Sequence, residues 1–329
     1  MIGKHIARIG IVVIGRNEGE RLVACLESLG DLVQHAVYVD SGSSDDSVAM
    51  ARAKGTLVSA LDMSQPFTAA RARNAGFAAL DAAFPGMDYV QFIDGDCTID
   101  SAFVGKAETF LQTHEDVAVV CGRRRERYPT RSVYNQLCDR EWNTPVGEAT
   151  ECGGDCLVRA NAFRKIGGYA DDLIAGEEPD MCVRLRSAGW RIWRIDAEMT
   201  LHDANMVYLR QWWRRSMRGG HAFAEVSARH ALSPFGIWKR NTRRVVLWGL
   251  ALPAGIVLAA TLIHPALLLF LAAYPLQVAK IALRSGPTEP KNWTYALFAM
   301  LGKFPEMQGV ARFHLNRLFK RANTLIEYK

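Results

Sequence analysis

The sequence predicts an α/β domain built on a doubly wound mixed sheet, followed by a helical hairpin that enters a membrane. Three observations predict this. Short apolar runs alternate with amphipathic ones over the first 120 residues, as in a sheet with helices on its faces. The chain of 329 residues is 49% hydrophobic, enough to bury a domain of roughly 200 to 250 residues and leave sequence over. Finally, residues 245–279 contain no Asp, Glu, Lys or Arg.

The strands and helices of the first domain follow from the spacing of its apolar positions. Apolar runs predict mostly parallel strands at residues 9–14, 36–40, 56–59, 89–93 and 117–121. Amphipathic runs between them predict helices at residues 18–29, 46–54, 68–83 and 101–113. Ligands of such sheets bind outside the carboxyl ends of the strands, so the residues just after each strand are the candidates for chemistry.

Beyond residue 121 the pattern is less regular. Residues 123–151 are rich in Arg, Tyr and Trp and are interpreted as loops that shape a pocket. Arg123-Arg124-Arg125 is interpreted as a solvated face, with a contact to an anionic lipid diphosphate as the alternative. An ordered unit is predicted at residues 156–202, including a helix at 181–188. An aromatic, basic helix at 208–230 follows it. We therefore predict that the first domain covers residues 1–230.

The second predicted domain, residues 231–329, contains the uncharged stretch. As one helix that stretch would be about 52 Å long at ~1.5 Å per residue, against a hydrocarbon core of about 30 Å. Two helices hinged at His264-Pro265 fit better and predict a hairpin over about residues 245–283. The hairpin either crosses the membrane twice or is re-entrant. A buried helical pair in a soluble core is the alternative.

Charges at the ends of the hairpin predict its orientation. Arg243 and Arg244 precede it and Lys280 follows it, so both ends are expected in the cytoplasm by the positive-inside rule. Amphipathic helices within about residues 293–318 are expected to lie at the membrane interface. The seven cysteines form no CxxC pair and are expected to be reduced, as in a cytosolic domain.

Acidic residues end two of the predicted strands. Asp94-Gly95-Asp96 places two carboxylates at positions i and i+2, on the same side of a strand. Such oxygen ligands suit Mg²⁺ or Mn²⁺ bound together with a diphosphate. Asp40 ends an earlier strand that no GxGxxG or GKS/T phosphate loop follows. Its carboxylate is a candidate acceptor of hydrogen bonds from a ribose or base, whereas Asp45 and Asp46 are interpreted as helix caps.

A third acidic group, Glu177-Glu178-Pro179-Asp180, precedes the helix predicted at residues 181–188. The helix dipole explains one or two acidic residues in a first turn, but not three. Crowded carboxylates repel one another, which raises the pKa of at least one and prepares it to accept a proton. Glu177, Glu178 and Asp180 are therefore candidate catalytic residues. His202 is a weaker candidate for a metal contact, because a lone histidine is more often structural.

In this order and spacing the motifs resemble family 2 glycosyltransferases of the GT-A fold. Over about residues 8–220 the resemblance rests on the acidic groups above and on Gly15-Arg16-Asn17-Glu18, Gly153-Gly154-Asp155 and Gln211-Trp212-Trp213-Arg214-Arg215. It implies donor-nucleotide contacts from Asn17, Glu18, Asp40, Arg73 and Asp94, metal contacts from Asp94, Asp96 and His202, and acceptor or diphosphate contacts from Gly154, Asp155, Gln211, Arg214 and Arg215. The aspartate base of the family's Glu-Asp pair is replaced here by Glu178, the expected base.

What the resemblance implies is inverting, metal-dependent transfer of a sugar from a nucleotide diphosphate to a hydroxyl. The expected cofactor is Mg²⁺ or Mn²⁺. The expected acceptor is a lipid-linked saccharide at the cytoplasmic membrane face, as in bacterial polysaccharide or glycolipid biosynthesis; a homo-oligomer is compatible with this, and nucleic acid is not an expected partner. Arg215 stands where processive members have Trp, so processivity is not predicted. A glycosidase, which needs neither Asp40 nor a metal pair, and a non-catalytic membrane scaffold are the alternatives.

Overall fold

The computed structural model describes residues 8–321. The chain divides into two compact units: the first contains the residues up to Thr130 and Cys138–Asn205, and the second contains Arg131–Leu137 and the residues from Met206 onward. The helix predicted at residues 208–230 falls within the second unit by this division. The functional boundary at residue 230 stays a prediction.

One mixed sheet organises the first unit. Its strands are β1 (Ile9–Gly15), β2 (Ala36–Asp40), β3 (Leu57–Ala60), β4 (Tyr89–Asp94), β5 (Cys97–Ile99), β6 (Val117–Glu126), β7 (Gly147–Ala149), β8 (Cys156–Arg159) and β9 (Arg191–His202). Their order is β3-β2-β1-β4-β8-β6-β9-β5, and β7 also pairs with β9. The first four strands of this order are parallel, whereas β8 runs antiparallel to both neighbours. The predicted α/β fold with a mixed sheet is confirmed.

The helices between these strands are α1 (Glu20–Ser28), α2 (Ser47–Ala53), α3 (Ala69–Ala83), α4 (Phe103–Thr113), α5 (Val133–Glu141), α6 (Ala160–Lys165) and α7 (Glu177–Ser187). The first four agree with the predicted helices to within three residues at each end. Helix α7 begins at Glu177, earlier than predicted, because Gly176 adopts a left-handed conformation (φ 83°) that turns the chain into the helix. The acidic group therefore forms the first turn of α7.

The interpretation of residues 123–151 as loops is wrong in part. Strand β6 continues to Glu126, α5 follows it, and β7 lies near the end of the segment. Strand β6 pairs in parallel with β9 as far as Glu126 and His202, so sheet pairing holds the arginines in an extended conformation that their polarity did not predict. Arg123 is buried, whereas Arg125 is exposed and pairs with Glu198.

Close packing of α3 against the sheet depends on Gly76. The central strands β1 and β2 are almost wholly buried, as expected of parallel strands covered on both faces. A Cβ atom at Gly76 would collide with Val12 Cγ1 and lie 2.8 Å from Val39 Cγ2. The absence of a side chain there lets α3 approach β1 and β2 closely.

The described part of the second unit is helical. It includes the first turn of α5. The elements that follow are α8 (Leu209–Arg229), α9 (Lys239–Val246), a π-helical turn (Leu247–Ala251), α10 (Leu252–Leu262), a 3₁₀ helix (Pro265–Ala272), α11 (Ala273–Ser285), α12 (Pro290–Leu301) and α13 (Lys303–Leu318). Helices α8 and α13 cross backbone to backbone, since a Cβ at Gly220 would collide with the Glu306 carbonyl and one at Gly309 with the Met217 carbonyl.

The predicted hairpin is present as two apolar helical segments on either side of His264. Lys239–Leu262 and Pro265–Ser285 are long and apolar enough to cross a membrane. In the 18-residue apolar stretch of each segment, only 17% and 6% of the residues are buried. Pro265 starts the second segment after an extended His264, as expected where a proline interrupts a helix. By length and composition these segments fit a membrane, and their low burial argues against the alternative of a soluble core.

Replacing Gly76 by Ala should lower the stability of the first unit. The added methyl group has no room against Val12 and Val39, and overpacking of this kind costs about 1–3 kcal/mol. Gly105→Ala in α4 is the matched control, because nothing lies within 4 Å of its Cβ position and Gly→Ala in a helix stabilises by about 0.5–1 kcal/mol. Unfolding of the full chain in detergent measures both, and equal shifts for the two variants would contradict the packing described here.

Candidate active site

The carboxyl ends of three adjacent strands bring the first candidate residues together. Gly15 at the end of β1 is in register with Asp40 at the end of β2, and Ile14 is in register with Asp94 at the end of β4. Strand order alone therefore places the loop after β1 between Asp40 and Asp94. This is the edge at which open α/β sheets bind ligands.

Arg73, on α3, connects acidic residues of two elements, β4 and α7. Its guanidinium lies 2.8 Å from Asp94, 2.9 Å from Glu177 and 3.2 Å from Glu178, and its side chain is 3% exposed. Gly154 makes room for this arrangement, since a Cβ there would collide with Arg73 and lie 3.0 Å from Glu178 Oε1. Arg73 and Gly154 therefore fix where the Glu178 carboxylate lies.

A second arginine, Arg124 on β6, holds the other side of Asp94. Its Nη2 lies 3.1 Å from Asp94 Oδ2, and its Nε lies 3.2 Å from Asp155. Asp155 is fully buried and also accepts hydrogen bonds from Thr200 Oγ1 and the Asp94 backbone N–H. Burial acts to raise the pKa of Asp94, but Arg73 and Arg124 outweigh it and leave that pKa below its usual value.

Glu178 has the opposite electrostatic environment. Burial and the neighbouring carboxylate of Glu177 raise the pKa of Glu178 to about 7, although Arg73 acts to lower it. A carboxyl group with this pKa exchanges its proton near neutral pH, as a general base requires.

Asp180 is directed elsewhere. Its carboxylate is 1% exposed and lies 2.8 Å from Arg184, one helical turn along α7. Arg184 in turn donates to the Ile166 carbonyl. The structure therefore gives Asp180 a contact that supports α7, and brings Glu177 and Glu178, but not Asp180, to Arg73.

The carboxylates of Asp94 and Asp96 have different neighbours. Asp96 Oδ1 lies 3.3 Å from His202 Nε2, and Cys97 Sγ is close to both residues. Among the described residues, two groups have the composition and spacing of a metal site: Asp96 with Cys97 and His202, and Asp94 with Cys97 and Asp155. His202 is thus placed where a metal ligand would be.

The predicted nucleoside contacts lie in loops that are already ordered. Asp40 Oδ2 accepts hydrogen bonds from the backbone N–H groups of Gly42 and Ser43, at 3.1 and 3.0 Å, and Asp40 Oδ1 accepts from the Tyr38 hydroxyl. Asn17 accepts from the Ser44 N–H at 2.8 Å. Asn17 thereby joins the loops after β1 and β2, whereas the hydrogen bonds of Asp40 lie within its own strand and loop.

The neighbouring acidic residues of this edge have local roles. Glu18 donates its backbone N–H to Ser47 and forms an ion pair with Arg21. Asp45 accepts from the Ser47 N–H, as expected of a residue at a helix start. Hydrogen bonding to the Ser47 side chain, with a smaller contribution from that N–H, lowers the pKa of Asp45. The interpretation of Asp46 as a cap is correct for its position, but its side chain makes no capping hydrogen bond.

The remaining predicted residues lie in the second unit. Gln211, Arg214 and Arg215 belong to the first two turns of α8. Gln211 Oε1 accepts from the N–H groups of Val207 and Tyr208, which completes the N-terminal cap of the helix. Contacts of these three residues with acceptor or diphosphate stay a prediction.

Sequence reasoning missed Arg124, Cys97 and Trp142. The interpretation of the arginine run as a solvated face is wrong for Arg124, which is held by Asp94 and Asp155. The Trp142 ring lies 5.1 Å from the Arg124 guanidinium and 4.8 Å from the His202 ring. Arg123 pairs instead with Asp139 and Arg125 with Glu198, and the sequence gives no signal for this difference because the pairing of β6 shifts register between Arg123 and Arg124.

Comparison with known proteins now identifies the fold and chemistry to which this site belongs. Residues 10–167 match the family model described as Glycosyl transferase family 2. The match covers 158 of the 329 residues, just under half of the chain. The resemblance inferred from the sequence is therefore confirmed, and the first unit is a glycosyltransferase domain.

Two curated relatives agree with this glycosyltransferase assignment. The succinoglycan biosynthesis protein ExoA of Rhizobium meliloti (strain 1021) is 26% identical over 220 residues, which are 62% of this chain and 66% of the relative. A pre-mycofactocin glycosyltransferase of Mycobacterium tuberculosis (strain CDC 1551 / Oshkosh) is 28% identical over 240 residues, 68% of this chain and 48% of the relative. The matched part of the chain spans from about half to just under two thirds of these relatives.

A solved structure shows the same fold. The mannosyltransferase PcManGT from Pyrobaculum calidifontis, in complex with GDP-Man and Mn²⁺, matches with a TM-score of 0.67 at 16% identity, over 95% of this chain and 89% of that chain. At this identity the likeness concerns the fold alone. It confirms the predicted GT-A-like glycosyltransferase fold.

Asp180→Asn should weaken the first unit without changing Glu178. Loss of the charged hydrogen bond to Arg184 should lower the free energy of unfolding by about 1–3 kcal/mol. Arg184→Gln should cost more, because it leaves a buried carboxylate without its cation. The double variant should cost less than the two single changes together. Additive losses in denaturant unfolding would show that the pair is not coupled.

Proposed function

We propose that the glycosyltransferase domain transfers a sugar, with inversion, from a nucleotide diphosphate sugar to a hydroxyl of a lipid-linked saccharide, in a reaction that depends on Mg²⁺ or Mn²⁺. The observation that carries the proposal is the position of Glu178. It lies beside Arg73, in the same carboxylate cluster as Asp94, and its pKa is raised to about 7. A base next to a candidate metal-diphosphate site is the minimum that such a transfer needs.

The charges around this cluster fit a divalent cation. The carboxylates of Asp94, Asp155, Glu177 and Glu178 lie beside two guanidinium groups, those of Arg73 and Arg124, and the carboxylate of Asp96 lies beside His202. The negative excess, together with the two ligand groups around Cys97, supports a metal held by Asp96 and His202, with Asp94 at its side. When bound, the ion would offset charge on the leaving diphosphate.

Other residues of the chain are proposed to bind the nucleoside and to accept the proton. Asp40 and Asn17, fixed by the loops after β1 and β2, are proposed to receive the nucleoside. Arg73 orients Glu178, whose carboxylate accepts the proton of the acceptor hydroxyl as that oxygen attacks the anomeric carbon from the face opposite the diphosphate. One displacement inverts the centre, so no covalent enzyme intermediate is needed.

Membrane association is the second part of the proposal. The two apolar segments are largely exposed. Residues 206–321 contain seventeen lysine and arginine residues against three acidic ones, a composition that is attracted to anionic headgroups. The relative ExoA is named for succinoglycan biosynthesis. We therefore propose that the second unit is an integral or deeply inserted membrane anchor, with the catalytic domain in the cytoplasm and a polysaccharide or glycolipid as the product.

The catalytic proposal is tested by nucleotide sugars supplied with Mg²⁺ or Mn²⁺. We expect metal-dependent transfer or donor hydrolysis with one of them and none after metal removal by EDTA. Glu178→Gln should lower kcat by about 10²- to 10⁴-fold, the usual contribution of a general base, with little change in donor binding. Because the base must be deprotonated, kcat/KM of the parent should rise with pH up to about 7 and then level, and Glu178→Gln should lose this rise.

Asp180→Asn is the matched acidic control, because it lies on the same turn but faces Arg184. It should keep the pH profile of the parent. Full turnover of metal-stripped enzyme would contradict the metal role. A profile that Glu178→Gln leaves unchanged and Asp180→Asn abolishes would move the base to Asp180.

The membrane proposal is tested by carbonate extraction, which should leave the full chain in the membrane fraction. A His264→Cys variant, made in a background lacking the seven native cysteines, then reports the position of the turn between the apolar segments. Labelling from the outer side indicates two complete spans. Retention without labelling indicates a re-entrant hairpin, and release into the soluble fraction at high pH would contradict membrane insertion.

A further inference from the structure

Two thiols of the first unit lie close enough to react with each other. The sulfur atoms of Cys152 and Cys182 are 3.5 Å apart, and all seven cysteines are free thiols. Cys152 belongs to residues 150–155, which form neither helix nor strand. Cys182 is a fully buried residue of α7. The thiol pair therefore connects a loop to the helix that carries Glu178.

Both members of the thiol pair are close to Glu178 along the chain or in space. Cys182 follows Glu178 by four residues on α7, so the two side chains lie on the same face of the helix. Cys152 lies two residues before Gly154, where an added Cβ would collide with Arg73 and lie 3.0 Å from Glu178 Oε1. Because this contact has no spare room, a movement of the loop also moves Arg73 or Glu178.

We propose that Cys152 and Cys182 are an oxidation site, at which a peroxide converts the two thiols into a disulfide that displaces Glu178. Cys152 is 9% exposed and Cys182 is not exposed, so Cys152 reacts first. Its sulfur attacks the O–O bond of hydrogen peroxide, which gives a sulfenic acid and one molecule of water. The sulfur of Cys182 then attacks the sulfur of Cys152. The S–S bond forms, and the hydroxyl group leaves with the second thiol proton as another water, so that two electrons pass from the thiols to the peroxide.

Forming this bond requires a movement near Glu178. A disulfide bond is about 2.05 Å long, so the two sulfur atoms must approach each other by about 1.5 Å. Since backbone hydrogen bonds hold Cys182 within a helix, we expect the loop to move and Gly154 to move with it. Misplacement of a reacting group by about 1 Å can lower a rate by about 100-fold. The effect on activity rests on the proposed function of Glu178, whereas disulfide formation does not.

A third thiol, that of Cys156, also neighbours Cys152. Hydrogen bonding to the thiols of Cys156 and Cys182, together with burial, raises the pKa of Cys152 well above its ordinary value. Little thiolate is therefore present at neutral pH, and we expect oxidation to be slow and to need an excess of peroxide. Cys156 is the competing partner of Cys152, so the experiment has to distinguish two disulfides.

The test treats the full chain in detergent with excess hydrogen peroxide, blocks the remaining thiols by alkylation and digests the protein without reduction. Trypsin combined with a protease that cleaves before Asp155 separates Cys152 from Cys156. We expect mass spectrometry to find a linked peptide pair that contains Cys152 and Cys182 and that dithiothreitol removes. The same treatment should lower kcat by about 100-fold, and dithiothreitol should restore it.

Two variants separate this disulfide from other oxidation. Cys182→Ala should lose both the linked peptide pair and the reversible fall in kcat. Cys156→Ala is the matched control, because it removes the other thiol beside Cys152, and it should keep both. The peptide analysis of the parent protein decides the question even if a variant does not fold.

The outcomes for the site and for the proposed function can be told apart. Absence of a linked peptide pair, or a link between Cys152 and Cys156, would overturn the oxidation site even in a protein that transfers sugar. A Cys152–Cys182 link with unchanged kcat would overturn the effect on Glu178. The link in a protein that uses none of the sugar donors would uphold the oxidation site and contradict the proposed function.

Discussion

The arrangement of the carboxylate cluster in the candidate site depends on one buried guanidinium. Arg73 is shared by carboxylates from β4 and α7, and it stands on a helix that can reach the sheet only because Gly76 has no side chain. Removing a cation from such a cluster would leave buried charge uncompensated, at a cost of several kcal/mol. The packing of α3 and the electrostatics of the site are therefore one constraint, because moving the helix outward would take Arg73 away from both Asp94 and Glu178.

This arrangement gives two similar carboxyl groups, those of Asp94 and Glu178, different pKa values. Asp94 lies between two arginines, and its pKa is lowered; Glu178 shares one arginine with Glu177, and its pKa is raised to about 7. Pairs of titratable groups whose surroundings move their pKa values apart are a common basis for dividing acid–base roles. Here the division follows from the number of cations per carboxylate and from burial, both of which the fold sets before any substrate binds.

The fold was largely predictable from the sequence because its central strands are continuous apolar runs. Strand β2 was placed at its observed bounds, and β1 and β4 each end one residue later than predicted. The short strand β5 and the polar end of β6 were not predicted, because their extended conformation comes from pairing with β9 rather than from their own composition. Acidic strand ends and the crowded first turn of α7 are local patterns and were readable. The partners of Arg124 and the neighbours of Cys97 depend on which strands meet, and no single segment contains that information.

The net charge of the whole chain also hides how its charges are distributed. The whole chain has a formal net charge of only +6, which hides an acidic first part and a strongly basic stretch at residues 206–321. Each of the two charges suits a different partner. A carboxylate-rich cluster attracts a divalent cation and, through it, a diphosphate, whereas bare carboxylates would repel that diphosphate. Lysine and arginine beside exposed apolar helices attract anionic headgroups. The proposed function requires the protein to collect an anionic donor from solution and to remain at an anionic surface, and the sequence carries the two charges that these tasks need in separate parts of the chain.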